Sequence, residues 1–519
     1  MQKILEGSFI YRFIAAVCSW VGRQWRENRV IARFLSPGPG EQISDSSIFT
    51  RLWLGFHRWL CKVFKILRLD RLLNNSIFTM PFIWCLIALG LAPVLPTMAV
   101  LGISIVCIGS LLLAFGCDPQ KRLSYSPVNK YILLLTFIYI VATFTSVTLS
   151  GSLLGGSLTA LFFLFTIVIQ NSVATRRQLD TLVFIFVMSG AVVSAYGIYQ
   201  YLFGTIVASG WVDSTMFSGI GIRVYSTLDN PNVLSEYLLL AIPFALASIL
   251  IVKRAVFKVF FTGCLAVMLL CMLLTFARGG WLGLIIALAI FLIMLDRRFI
   301  IIGIVGLVLL YFLLPDVILN RFLSIGDTSD SSTTFRVSIW LGTIAMLRDY
   351  WFTGIGPGVA AFNKVYPFYS FNTVYAPHSH NLYLQMMCDA GISGIIIFLA
   401  VLFTWFRNMC TSVLHESIAI KRPGGALSAH QPSPPPDCIG ADIRKQTKIL
   451  QIASISAVIG FLIQGVTDFS FYNYRVTLVF WIVLGLGALI ARRSQLEEGG
   501  AGLVSLIIGG ARPEAGENR

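Results

Sequence analysis

The chain has 519 residues, of which 56% are hydrophobic and 12% charged, with a formal net charge of +15. Its mean hydropathy is +0.80. A soluble domain carries roughly 25% charged residues, so this composition excludes one. Apolar runs of about 18–22 residues recur along the chain, long enough to cross a hydrocarbon core as helices. The excess of Lys and Arg follows the membrane rather than a nucleic acid, as its distribution shows.

Residues 1–75 are basic, with one short apolar run near 8–20 that reads as an interfacial or non-spanning segment, and no cleavable signal peptide is evident. Spans are predicted at 77–95, 97–116, 130–149, 153–171, 180–203, 232–252, 257–277, 279–295 and 299–314, then at 386–406, 449–467 and 476–491. Pro93 and Pro96 make the first two a tight hairpin, and Arg278-Gly279-Gly280 separates the seventh from the eighth. The expected fold is therefore an all-α polytopic membrane protein of about twelve spans. Nine spans lie in 76–314, a large loop in 315–385, and three spans in 386–491. A Pro-rich insertion at 407–448 reads as a linker, and the tail 492–519 as mostly disordered. Most of the ten cysteines fall inside apolar runs with no ligand-like spacing, so no disulfide framework or zinc site is expected.

Orientation follows from charge. With both termini cytoplasmic, every inner loop holds Lys or Arg. Only seven of the 39 basic residues fall outside: Arg223, Arg278, Arg321, Arg336, Arg348, Lys364 and Arg475. The loop 315–385 is too long to be structureless. Apolar residues at Val337, Trp340, Leu341 and Ile344 predict a helix over 334–351, and GIGPGVAAF predicts a turn and a second helix. The aromatics of VYPFYSFNTVYAP suit either sugar faces or a membrane-interface belt.

The chemistry concentrates on this outer side. His378 and His380, two of only five histidines, end the long loop beside Asn381, where it enters the span at 386. Imidazole is the side chain that titrates nearest neutrality. Arg223, Arg278 and Arg336 lie in polar segments at the same boundary. An arginine at the edge of an apolar run either faces a cavity or partner or snorkels to headgroups. Its planar fork suits the bidentate binding of phosphate. Neither a DxD nor an acidic pair nor a metal-ligand cluster is apparent outside, so no metal and no cofactor is expected.

Four segments together resemble the O-antigen ligase and O-antigen polymerase family of bacterial membrane proteins: RVYSTLDNPNVLSEYL, TFARGGWLGL, RVSIWLGTIAMLRDYWFTGIGPG and HSHNLYLQMMCDAGISGIIIF. The resemblance covers about residues 75–490. It implies a multi-pass enzyme of the bacterial cytoplasmic membrane that moves a glycan en bloc from a polyprenyl-diphosphate donor to an acceptor hydroxyl on the outer face. By motif, Arg223 and Arg278 would bind the diphosphate, Arg336 would assist, and His380 would act on the acceptor hydroxyl, with Asn381 holding the imidazole or the acceptor. His378 has no clear counterpart, and Asp389 stands where the family often has Glu. A polymerase joining lipid-linked repeats is the nearest alternative reading. A transporter of a small anion such as bicarbonate is the alternative of another class. Partners implied are the donor, a glycan, lipid or protein acceptor, and membrane lipids, with no nucleic acid.

The charge pattern predicts that 315–385 is outside and 407–448 inside. In intact cells, an impermeant thiol reagent should label a cysteine placed at Ser370 and spare one at Ser433. The reverse pattern overturns the topology.

Overall fold

A computed structural model of the chain describes residues 48–73, 76–204, 223–296, 298–313, 315–323, 331–421 and 438–492. The apolar run near 8–20, residues 422–437 of the Pro-rich insertion and nearly all of the tail lie outside these residues.

The described residues are helical, with no strand among them. Two helices precede the apolar series: α1 (Ile48–Ile66) and the short α2 (Leu69–Leu72). Then come α3 (Pro81–Leu91), α4 (Thr97–Cys117), α5 (Asn129–Phe144), α6 (Leu149–Ser172) and α7 (Arg176–Phe203). The series continues with α8 (Pro231–Ile251), α9 (Ala255–Leu274), α10 (Arg278–Leu295) and α11 (Phe299–Leu313). The predicted loop contains α12 (Asp316–Leu323), α13 (Ser331–Tyr350) and α14 (Val359–Val365). The chain closes with α15 (Leu382–Lys421), α16 (Cys438–Gln464) and α17 (Tyr474–Ala491). Nine of the described helices are long and apolar enough to cross a membrane, and α3 and α5 are shorter apolar helices. Each of the twelve predicted spans thus has a helix at its position. The sequence reading did not foresee α1, whose His57 is buried with Nε2 2.9 Å from the Phe115 carbonyl of α4.

Lipid tails give helices no hydrophobic reason to associate, so close packing through small residues carries the assembly. A Cβ on Gly283 of α10 would lie 2.7 Å from the Gly460 carbonyl of α16, and one on Gly485 of α17 would lie 2.8 Å from Thr166 of α6. Trp405 of α15 donates to the Leu484 carbonyl of α17 at 2.7 Å. These contacts make α17 the central helix, buried from Val476 to Ile490.

Loop contacts sort the connections into two ends. At one end, Arg176 reaches Thr447 and Gln446, and Lys253 pairs with Asp442. At the other, Thr227 bonds the Pro93 carbonyl, Val147 the Ile355 carbonyl, Arg475 the Asp229 carboxylate, and Leu382 the Gly465 carbonyl. The second end carries the candidate site.

The helix α15 breaks where the loop meets it. Ala390 and Gly391 leave helical geometry, with Gly391 at φ 64° and ψ −163°. The break exposes backbone groups, and the loop satisfies them. Ile392 N–H donates to the Trp351 carbonyl at 2.8 Å, and Ile355 N–H to the Cys388 carbonyl at 2.7 Å. Only glycine fits this junction, since a Cβ at Gly391 would sit 2.0 Å from the Phe352 carbonyl oxygen. Gly391→Ala should therefore cost about 1–3 kcal/mol from backbone strain alone. Gly263→Ala, in open space on α9, should be neutral or slightly stabilising. Thermal midpoints in one detergent separate the two; equal midpoints would show that the break is not a constraint.

Candidate functional site

Three chain segments far apart in sequence meet at this end: the stretch 223–232, the start of α10, and the turn 464–468 between α16 and α17. The loop helix α13 and the residues before α15 close over them. Arg223, Arg278, Arg321 and Arg336 line one small cavity with Asn232, Gln464, Thr467 and Asp468. Its volume is about 40 Å³. The fold thus brings together the three arginines singled out in the sequence and adds Arg321, which was counted on this side but not selected.

Each arginine is set by its local structure. Arg223 donates Nε–H to the Thr275 carbonyl at 2.8 Å and Nη2 to Asn232 Oδ1 at 2.9 Å. Arg278 and Gly279 open α10, so the positive end of that helix lies at the cavity. The glycines here serve packing: a Cβ at Gly279 would meet Thr467 at 2.7 Å, and one at Gly280 would meet Ser235 at 2.6 Å. Arg336 donates to Ser332 at 3.0 Å, while its buried Nε has no hydrogen-bond partner among the described residues. Burial, then Arg321, Arg336 and Arg278, push the Arg223 guanidinium down to about 9, with Asp468 partly opposing them. It remains a cation at neutral pH.

Asp468 is the carboxylate in this ring of cations. Its Oδ2 accepts from Asn232 Nδ2 at 2.8 Å, and its Oδ1 accepts from the Phe469 N–H at 2.9 Å. Oδ1 also lies 3.3 Å from His380 Nδ1. A continuous chain therefore runs from Arg223 through Asn232 and Asp468 to His380. Burial pushes the Asp468 carboxyl up, but the hydrogen bond from His380 and the charge of Arg336 outweigh it and hold the carboxyl well below the usual range. An ionised Asp468 fixes the proton of His380 on Nδ1 and leaves Nε2 as the free base. This is the base-and-orienting-carboxylate arrangement that activates a hydroxyl.

His380 is held in a left-handed backbone conformation, φ 48°. Such a strained setting persists only where its surroundings enforce it. The Trp340 indole of α13 donates to the His380 carbonyl at 3.2 Å, and the His380 N–H donates to His378 Nδ1 at 3.2 Å. Asn381, expected to hold the imidazole or the acceptor, bonds to backbone groups around it. Its Oδ1 accepts from the N–H groups of Tyr383 and Leu384, capping α15, and its Nδ2 donates to the Val466 carbonyl at 2.7 Å. The amide is committed to backbone on both sides.

Asp389 works at a distance. It accepts from Gln385 Nε2 at 2.9 Å, and Gln385 Oε1 in turn accepts from the Ser379 N–H at 2.9 Å. The acid in the span thus orders the residue between the two histidines.

The fold corrects one expectation from the sequence. His378, His380 and Asp468 place ligand atoms within 4.8 Å of one another, so a potential metal-ligand set exists on this side among the described residues. The set fits a cation poorly. His378 Nδ1 is occupied by a backbone N–H, and Asp468 is engaged at both oxygens. Nearby guanidinium charge adds repulsion, since Arg336 acts electrostatically on both His378 and Asp468.

Local spacing in the sequence could not reveal Asp468, Asn232 or Arg321 as partners. Asn232 lies within the DNPN stretch and Asp468 in DFSFYNYR, 236 residues apart. The one usable signal was that both stood on the predicted outer side.

If Asp468 is the counter-charge of the arginine ring, Asp468→Asn relieves the repulsion it exerts on an incoming anion. Inorganic pyrophosphate should then bind about tenfold tighter, the equivalent of 1.4 kcal/mol. Arg321→Ala should weaken the same binding. Calorimetry in detergent checks both, and weaker binding by Asp468→Asn contradicts the assignment.

Residues 263–399 match the family model described as O-antigen ligase. The match includes Arg278, the loop helices and both histidines, and it stops short of Arg223, Asn232 and Asp468 on either side. A search of curated proteins finds no match. The chain is a multi-pass membrane protein, and over residues 263–399 it is similar to the O-antigen ligase family.

Proposed function

We propose that this protein is a glycosyltransferase of the outer face of the bacterial cytoplasmic membrane. It moves a glycan en bloc from a polyprenyl diphosphate to an acceptor hydroxyl, with inversion and without a metal. The observation that carries this reading is the chain from Arg223 through Asn232 and Asp468 to His380, which joins an arginine cavity to an oriented imidazole.

In the reaction, the acceptor oxygen attacks the anomeric carbon from the side opposite the diphosphate. The new C–O bond forms as the bond to the diphosphate oxygen breaks. The hydroxyl proton passes to His380 Nε2, and the electron pair leaves on the diphosphate. Arg223, Arg278, Arg321 and Arg336 stabilise that charge, often the largest single contribution in such sites. Asp468 stabilises the imidazolium that forms. The cavity has about one water molecule's share of space, roughly 30 Å³, so the long arginine side chains must part to admit a diphosphate. Their mutual repulsion favours that opening.

A transporter would gather its polar groups near the bilayer midplane. Here they gather at one end of the helices, which favours transfer chemistry. A polymerase would use the same machinery with a second lipid-linked glycan as acceptor.

Arg278→Lys keeps the charge but loses the fork. It should lose most transfer activity, and Arg278→Ala more, by roughly two to four decades. His380→Ala should lower turnover about 100- to 10,000-fold while a labelled polyprenyl-diphosphate glycan still binds. Full activity of Arg278→Ala in correctly inserted protein, or loss of donor binding in His380→Ala, would reject these roles.

A further inference from the structure

The mechanism above uses the arginine cavity and leaves a much larger one unassigned. That second cavity, of about 500 Å³, is lined by His378. Asp468 lines the arginine cavity, and His380 bridges the two, 3.3 Å from Asp468 and with its ring 4.1 Å from that of His378. Its size falls within the range of small-molecule sites, roughly 300–1,000 Å³.

We propose that this cavity is an acceptor subsite that binds a neutral, polyhydroxylated sugar ring, with Tyr472 as the stacking face and His378 Nε2–H as a hydroxyl donor. The inference rests on the transfer reaction proposed above and names the chemistry of its second substrate.

The lining selects the ligand. Tyr472 is 42% exposed, and its ring centroid lies 4.6 Å from that of His378. Phe469 and Phe471 extend the aromatic surface. Between them stand Asn230, Gln385, Asp389 and Arg475. A purely apolar ligand would leave the buried Nε of Arg475 unpaired at a cost. A small anion would be drawn to Arg475 but repelled by Asp229, which already pairs with it at 2.6 Å. A sugar ring answers both demands, with an apolar face for the aromatics and hydroxyls that donate and accept. Arg475 also has an unused donor: its Nε is buried without a hydrogen-bond partner among the described residues.

His378 is built to donate. Its Nδ1 accepts the His380 N–H, so the proton of the neutral ring sits on Nε2. Burial, with the charge of His380 and Arg336, pushes its pKa down to about 3 against a lift from Asp468, so the ring stays neutral. Such a histidine cannot exchange roles with His380. It is a binding group next to the base. The location also fits the geometry of inversion, because the diphosphate and the attacking hydroxyl must approach the anomeric carbon from opposite sides.

The test uses purified full-length protein with a fluorescent polyprenyl-diphosphate oligosaccharide as donor. The acceptor is supplied as a detergent extract of cell envelopes from a strain lacking this protein. Tyr472→Ala should raise the extract concentration giving half-maximal transfer by about tenfold. Donor affinity should stay within about twofold of wild type, and Tyr472→Phe, which keeps the ring, should behave as wild type. Val359→Trp, filling the cavity from the loop side, should suppress transfer while donor binding persists. An unchanged half-maximal concentration in Tyr472→Ala together with unimpaired transfer by Val359→Trp overturns the subsite. So does a fall in donor affinity in both variants. Failure of the transfer reading itself would look different, since the wild-type protein would then neither bind the donor nor transfer from it.

Discussion

Four arginines, two of them buried, cannot share one cavity at a membrane edge without a counter-charge, and Asp468 supplies it. At about 7 Å two such charges repel by roughly 2 kcal/mol even at an effective dielectric constant near 20. The carboxylate lowers that repulsion enough for Arg223, Arg278, Arg321 and Arg336 to converge, yet leaves the ring net positive. The same two oxygens orient His380 and hold Asn232. In the function proposed above, one side chain would thus set both the electrostatics of anion binding and the tautomer of the base. Removing it alters two functions together, which is why an observable specific to anion affinity is needed to read the charge alone.

The second constraint is the break in α15. A continuous helix would satisfy its own backbone and offer nothing to the loop. By leaving helical geometry at Ala390 and Gly391, the chain gives the Cys388 carbonyl and the Ile392 N–H to Ile355 and Trp351. The loop is thereby tied to a rigid span at the residues that follow α13. On the other face, Trp340 of α13 fixes the His380 carbonyl. Asp389, one residue before the break, orders Ser379 through Gln385. The strained backbone of His380 is therefore held from several sides, as a precisely placed base requires.

Much of this was legible in the sequence. Apolar run length gave a helix at each of twelve positions, because hydrocarbon thickness dictates it. The spacing of Val337, Trp340, Leu341 and Ile344 gave α13, found at Ser331–Tyr350. The three arginines were noticed because a charge at the edge of an apolar run is expensive. What could not be read was pairing across the fold. Asp468 lies in a short turn between spans, and its importance comes from contacts with residues 88 and 236 positions away. The capping role of Asn381 was hidden for a related reason: its place beside a histidine suggested chemistry, and only the start of α15 shows it as a cap. Amphipathic α1 was overlooked because a search for long apolar runs passes over a helix with charged residues on one face.

In the transfer reaction proposed above, the two cavities would divide the labour in a way that a single pocket could not. Phosphate recognition needs concentrated positive charge, and sugar recognition needs aromatic faces with balanced donors and acceptors. Placed together, the guanidinium charge would favour any anion over a neutral acceptor. The histidine pair separates them: neutral His378 faces the large cavity, and His380, tied to Asp468, stands between the two. Two imidazoles one residue apart thus take different tasks because their partners differ. His378 gives its Nδ1 to a backbone N–H and keeps a donor, whereas His380 gives its Nδ1 proton to a carboxylate and keeps a lone pair. The bond from the His380 N–H to His378 Nδ1 ties the two imidazoles to this division.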